Sequence, residues 1–259
     1  MLGPSASGVA SSSGDGVRAE LTRPAFYALR SGGWRDYVTL LHAPYTAWHL
    51  SYVAIGAALS PEFALSRLWP ALVAFGLAVG IGAHALDELN GRPLRTQIPT
   101  RVLVALAVVA IGGAVAIGIV GAVTVNPWLG AFVAAGAFIV AAYNLEWFGG
   151  RFHGDLWFAI DWGAFPLLTA YFATAEKIDA TAVAGAVFAG AASLAQRRLS
   201  TPVRDLRRRV TKVSGTVERR DGSVQPLEAA DLVTPAEAAL GALTVAIVAL
   251  AVAVVIMRL

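Results

Sequence analysis

Cysteine is absent from the 259-residue chain, which excludes both a disulfide framework and a thiolate metal site. Charge is scarce as well: 14% of residues are Asp, Glu, Lys or Arg, while 57% are hydrophobic. With a mean hydropathy of +0.64, the chain lies outside the soluble globular norm and reads as a polytopic membrane protein. The formal net charge is only +3, and no soluble domain is evident to carry a basic face, so no nucleic-acid partner is expected. The four histidines follow neither an HxxxH nor an HxxHH pattern, which leaves a di-iron hydroxylase without support. The first twenty residues lack an apolar core of signal-peptide length and read as a disordered tail rich in Gly, Ser and Ala.

What the chain does contain is a series of apolar runs. Seven spans are expected, over roughly 39–60, 68–86, 102–124, 127–143, 155–174, 180–195 and 238–257. The third has no charge over 23 residues. With the N-terminus cytoplasmic and the C-terminus outside, seventeen of the twenty Lys and Arg residues fall on the inner face, as the positive-inside rule requires. Only Arg67, Lys177 and Arg258 fall outside. The fold class is therefore all-α, a multi-pass bundle in the cell membrane. Its parts are an N-terminal tail (1–37), six transmembrane helices (38–196), a basic cytoplasmic loop (197–234) and a last helix (235–259). The loop opens with RRLSTPVRDLRRR, a segment suited to anionic headgroups, and Asp221-Gly222 predicts a hairpin over 216–227. Gly76 and Gly80 are spaced for close helix packing.

The stretch with the most chemistry is IGAHALDELNGRPLRTQIPT, residues 81–100. An apolar helix ends there in His84, Asp87, Glu88 and Asn90, followed by Arg92, Arg95 and Arg101. His84 precedes the two acids by three and four residues, a spacing that places all three on one helix face. A carboxylate pair followed by arginines can hold a divalent cation and an anion together; the alternative is a solvated helix end. His42, Tyr45, His49 and Tyr52 form a polar-aromatic stripe suited to a bundle interior. Asp161 sits inside the fifth span, where an ionisable group is costly and hence a functional candidate. Its alternative role is to fix packing through His49 or a tyrosine hydroxyl.

In this order the residues resemble the UbiA superfamily of intramembrane prenyltransferases, over roughly residues 38–212. His42-Ala43-Pro44-Tyr45-Thr46 is similar to the family's entry to the first helix, and residues 83–91, followed by Arg92-Pro93, to its first acidic motif. The stretches 143–150 and 162–171 are similar to its Tyr-rich turn and Gly-Pro-containing helix. Of the first motif only Asp87 clearly matches an acidic position, and the second is reduced to Gln196, Ser200 and Asp205. Seven spans replace the usual nine.

The resemblance implies a UbiA-like enzyme that joins a polyprenyl diphosphate to a small or lipidic acceptor at the cytoplasmic membrane face. Mg²⁺ would sit on Asp87 and Glu88, with Arg92, Arg95 and Arg151 clamping the diphosphate. Tyr143, His42, Tyr45 and His49 would complete the substrate site; Asp87, as metal holder, is counted with His84 and Asp161 as catalytic, and in a cyclase His84 or Asp161 would serve as base. A membrane terpene cyclase of the same fold is one alternative. A non-catalytic isoprenoid- or quinone-binding protein, docking a partner through its basic segment, is the other. A small transporter is least supported, because no span shows a discontinuous midplane site.

Overall fold

The apolar runs fold as helices whose ends are set by local chemistry. The computed structural model describes residues 23–259, so the first 22 residues of the tail expected over 1–37 lie outside the described residues. A short helix α1 (Trp34–Leu40) leads into α2 (Ala43–Leu59), which starts with a proline in its first turn, where the lost N–H costs nothing. His42 caps it in the left-handed region, φ 45°. The long helix α3 (Leu65–Leu89) follows, then α4 (Thr100–Thr124) and α5 (Leu129–Asn144). After a single turn at Trp147–Gly150 come α6 (Asp155–Ala175), α7 (Ala180–Arg209) and α8 (Ala229–Ile256).

Four of these, α3, α4, α6 and α8, are long and apolar enough to cross a membrane. At 1.5 Å per residue the 25 residues of α4 reach about 37 Å, more than a hydrocarbon core needs. Outward-facing side chains such as Val109, Val123 and Val245 are mostly exposed, as expected of a surface that meets lipid tails. The protein is a membrane-embedded helical bundle. α5 is apolar but only 16 residues long.

The bundle is organised around α2, which packs most extensively on α6 and α8. Trp48, Tyr52 and Ile55 meet Leu167, Ala189, Ile247 and Ala251 in its core. The expected packing glycines are only partly used. A Cβ on Gly80 would meet the Thr46 methyl at 3.0 Å, but Gly76 faces open space. The closest backbone approaches are instead at Gly56, against Leu167, and at Gly163, against the Ala189 carbonyl.

Two helices contain π-helical stretches, Gly76–Ala83 in α3 and Ala159–Ala164 in α6. Such segments shift the side-chain register and often occur at functional sites. The basic stretch expected as the start of a loop is helical: α7 runs through Pro202 to Arg209, and Arg197 and Arg207 are buried. Two ion pairs hold this extension. Arg197 Nε lies 2.7 Å from Asp155 Oδ1, and Arg207 Nε lies 2.6 Å from Glu237 Oε1 on α8. Beyond it, β1 (Thr216–Glu218) and β2 (Val224–Pro226) pair antiparallel, Val217 opposite Gln225, with Gly222 at φ 81° in the turn.

At the opposite end of α7, Asp179 caps the first turn. Its carboxylate accepts from Thr181 N and Ala182 N, and from the Tyr171 hydroxyl at 2.7 Å. The tyrosine bond, with the cap bonds, holds the Asp179 carboxyl below its ordinary range. A depressed folded-state pKa means stabilisation present above the usual carboxylate pKa of about 4 and lost as pH falls through the folded value. The thermal midpoint of wild type should therefore exceed that of Asp179→Asn at pH 6, with the gap narrowing towards pH 3. A gap independent of pH would refute the assignment.

Candidate functional site

At one end of the bundle the helices leave a polar cavity of about 620 Å³. The start of α2 contributes His42, Tyr45 and His49, and the end of α3 contributes His84 and Asp87. Arg92 and Arg95 follow from the loop, Tyr143 from α5, and Gln196, Ser200, Arg204, Asp205 and Arg208 from α7. Tyr27, from the segment before α1, also lines it.

Each group has a local reason for its orientation. The Nδ1–H of His49 donates to the Trp162 carbonyl at 2.8 Å, that of His84 to Gly80 O at 3.2 Å, and that of His153 to Tyr143 O at 3.1 Å. These bonds fix the tautomer and leave Nε2 for other partners. The rings of His42 and His84 stack, centroids 4.0 Å apart and planes 12° from parallel. His42 Nδ1 bonds the Tyr27 hydroxyl at 3.0 Å, while its Nε2 is buried without a hydrogen-bond partner. Burial, then the Tyr45 hydroxyl, push the Tyr27 phenol well above its usual pKa, so it stays neutral.

The arginines divide into two kinds. Arg197 and Arg92 are committed to the fold. Arg197 holds Asp155, the Tyr143 hydroxyl (2.5 Å) and the His153 carbonyl (2.8 Å). Arg92 ties the carbonyls of Thr96 and Ile98 at 3.1 and 2.6 Å. Arg204 and Arg208 have no ion pair among the described residues, and their guanidinium groups make only long bonds to Thr201 Oγ1 (3.3 Å) and Pro24 O (3.4 Å). Burial, then the neighbouring Arg204 charge, pull the Arg208 pKa below its ordinary value. Two adjacent cations without an ion pair among the described residues, beside stacked imidazoles and with Asp87 as the acid they feel across the cavity, are groups suited to an anion.

Of the residues expected to form the site, His42, Tyr45, His49, His84, Asp87, Arg92, Arg95 and Tyr143 all line this cavity. Glu88, Arg151 and Asp161 do not. The Glu88 carboxylate is fully buried and accepts from Leu94 N (3.0 Å), Thr96 N (2.8 Å) and the Thr96 hydroxyl (2.8 Å), anchoring the loop after α3. Arg151 is exposed on the short turn. Asp161 faces a second, apolar groove. Asp87 makes no hydrogen bond or ion pair among the described residues.

Glu88 is therefore not placed to share Mg²⁺ with Asp87, since its oxygens are spent on the loop, and among the described residues no three His, Asp or Glu side chains come together. Arg204 and Arg208 are not among the residues expected to clamp the diphosphate; the sequence assigns Arg208 only to the basic docking segment. The signal available was the helical spacing of Arg197, Ser200, Arg204 and Arg208 within the stretch read as a loop.

The second cavity, about 490 Å³, lies inside the apolar part of the bundle among α3, α4, α5 and α6. Phe75, Phe132, Phe165 and Val133 line it. Val79 and Trp162, one from each π-helical stretch, line both cavities and form the wall between them. No family model, curated protein or solved structure matches this chain.

Proposed function

We propose that the protein binds an isoprenoid diphosphate at one membrane face and transfers its prenyl group, as a divergent UbiA-like enzyme. The observation that supports this most is the arginine-rich cavity sharing an apolar, aromatic wall with the membrane interior. A diphosphate would sit against Arg204 and Arg208, with His42 Nε2 as a further partner. The allylic end of the chain would lie against Val79, Ala83, Phe158 and Trp162. The convergence of Asp87 with Gln196, Ser200 and Asp205 on one cavity also favours this reading, because those are the positions similar to the family's two acidic motifs. Seven spans with the arginine end cytoplasmic complete it, on the distribution of Lys and Arg.

In the transfer step the C1–O bond breaks and its electron pair leaves with the diphosphate, whose charge the two arginines neutralise. The allylic cation faces the rings of Tyr143, Phe158 and Trp162. An acceptor nucleophile bonds C1, and its proton passes to Asp87 or to His84 Nε2. No step is routed through Mg²⁺. A carrier of the same lipid is the second reading, favoured by the absence of a grouped set of carboxylates in the cavity among the described residues.

The test uses purified protein in nanodiscs titrated with geranylgeranyl diphosphate, with inorganic diphosphate as competitor and a polar lipid extract as acceptor source. Saturable binding displaced by inorganic diphosphate, with diphosphate released on adding the extract, is the expected result. Binding without release would make the protein a carrier. No binding would end both readings.

A further inference from the structure

Asp161 is 3% exposed, and both its carboxylate oxygens are buried with no hydrogen-bond partner; the indole N–H of its neighbour Trp162 is orphaned in the same way. Both residues line the groove, whose wall is otherwise mainly aliphatic and phenylalanine side chains, with Arg67, Ser66, Thr124 and Thr169 as its other polar members. Buried polar groups in folded proteins are almost always hydrogen-bonded, so an orphaned acceptor and donor on adjacent residues that both line this groove mark a place for an absent partner. A hydrocarbon chain would leave both unsatisfied. Beside an ionised Asp161, an ammonium can donate to the carboxylate but accepts nothing from the indole, a ketone or quinone accepts from the indole but cannot donate, and a carboxylate would be repelled. A hydroxyl donates and accepts through one oxygen.

We infer that the groove is a second ligand site, for a neutral lipophilic hydroxyl compound, its O–H directed to Asp161 and its oxygen accepting from Trp162 Nε1. The groove's volume suits a single-ring phenol with an alkyl tail or an alcohol of similar size, and its position inside the bundle gives access from the lipid phase. The site adjoins the diphosphate cavity through Trp162. On the transfer reading its occupant is the acceptor, but the binding itself does not depend on that reading.

The test is competition binding in nanodiscs with tritiated 4-nonylphenol as probe, displaced by unlabelled 4-nonylphenol or by its methyl ether, 4-nonylanisole. The two competitors differ by the hydrogen that Asp161 would accept. Wild type should prefer the phenol by about tenfold or more, in line with the penalty for leaving a buried acceptor unpaired. Asp161→Leu should bring the two within about twofold, chiefly by weakening the phenol, and Trp162→Phe should reduce the preference partway. Equal displacement by wild type would mean that a trapped water or an acyl chain fills the groove, and would overturn the inference. So would a preference that survives Asp161→Leu. No diphosphate enters the assay, so its failure and that of geranylgeranyl diphosphate binding are read separately.

Discussion

Replacing both Arg204 and Arg208 with alanine should weaken geranylgeranyl diphosphate binding by on the order of 100-fold or more, with the bundle intact. A hydrogen bond to a charged group is worth about 1.5–3 kcal/mol, so two lost contacts cost about 3–6 kcal/mol. The fold should tolerate the change because neither guanidinium has an ion pair among the described residues. Arg197 and Arg207, whose side chains hold Asp155 and Glu237, serve as the contrast. Substituting those would cost stability first, since breaking a buried ion pair strands its partner. The measurement is a titration of the double variant beside its thermal midpoint. Unchanged affinity with an unchanged midpoint would remove the arginines from the site and end the diphosphate reading.

Much of this cavity was legible in the sequence because it is built from residues near helix ends, where polar side chains interrupt apolar runs. The stripe His42, Tyr45, His49 illustrates both the strength and the limit of periodicity. Those three line the cavity, but Tyr52, one step further, turns into the core to bond Trp48 and Ser193. The extension of α7 was not legible, since Pro202 amid six arginines between 197 and 209 carries every local mark of a loop. What keeps it helical is tertiary: the pairs from Arg197 to Asp155 and from Arg207 to Glu237 join residues 42 and 30 positions apart. The hairpin could be read because its turn chemistry is local. Asp221 accepts from Ser223 N at 2.9 Å, and Gly222 takes the positive φ. The register shift of the π-helical stretches has no pattern in sequence, and with it the shared wall of Val79 and Trp162 stayed hidden.

Asp87 and Glu88 are the sharpest case, because adjacent residues on a helix point about 100° apart and nothing local says which one the following loop will claim. Glu88→Ala should lower stability by about 3 kcal/mol or more: it strands the N–H groups of Leu94 and Thr96 and the Thr96 hydroxyl, each worth about 1–3 kcal/mol when buried and unpaired. For a chain of this length that corresponds to a fall in the thermal midpoint of about 6–12 °C. Glu88→Gln should also destabilise, since an amide turns donors towards donors. Asp87→Asn should leave the midpoint within about a degree, because its carboxylate holds nothing among the described residues. On binding, the two readings of this pair diverge in sign. If arginines alone neutralise the diphosphate, Asp87→Asn removes a like charge from the cavity, so geranylgeranyl diphosphate should bind at least as tightly as to wild type, with or without EDTA. If the carboxylates act through a divalent cation, the same substitution abolishes binding and EDTA does so in wild type. The structure favours the first outcome, since Glu88 has already given its oxygens to the loop and a lone aspartate facing two arginines is a poor cation site.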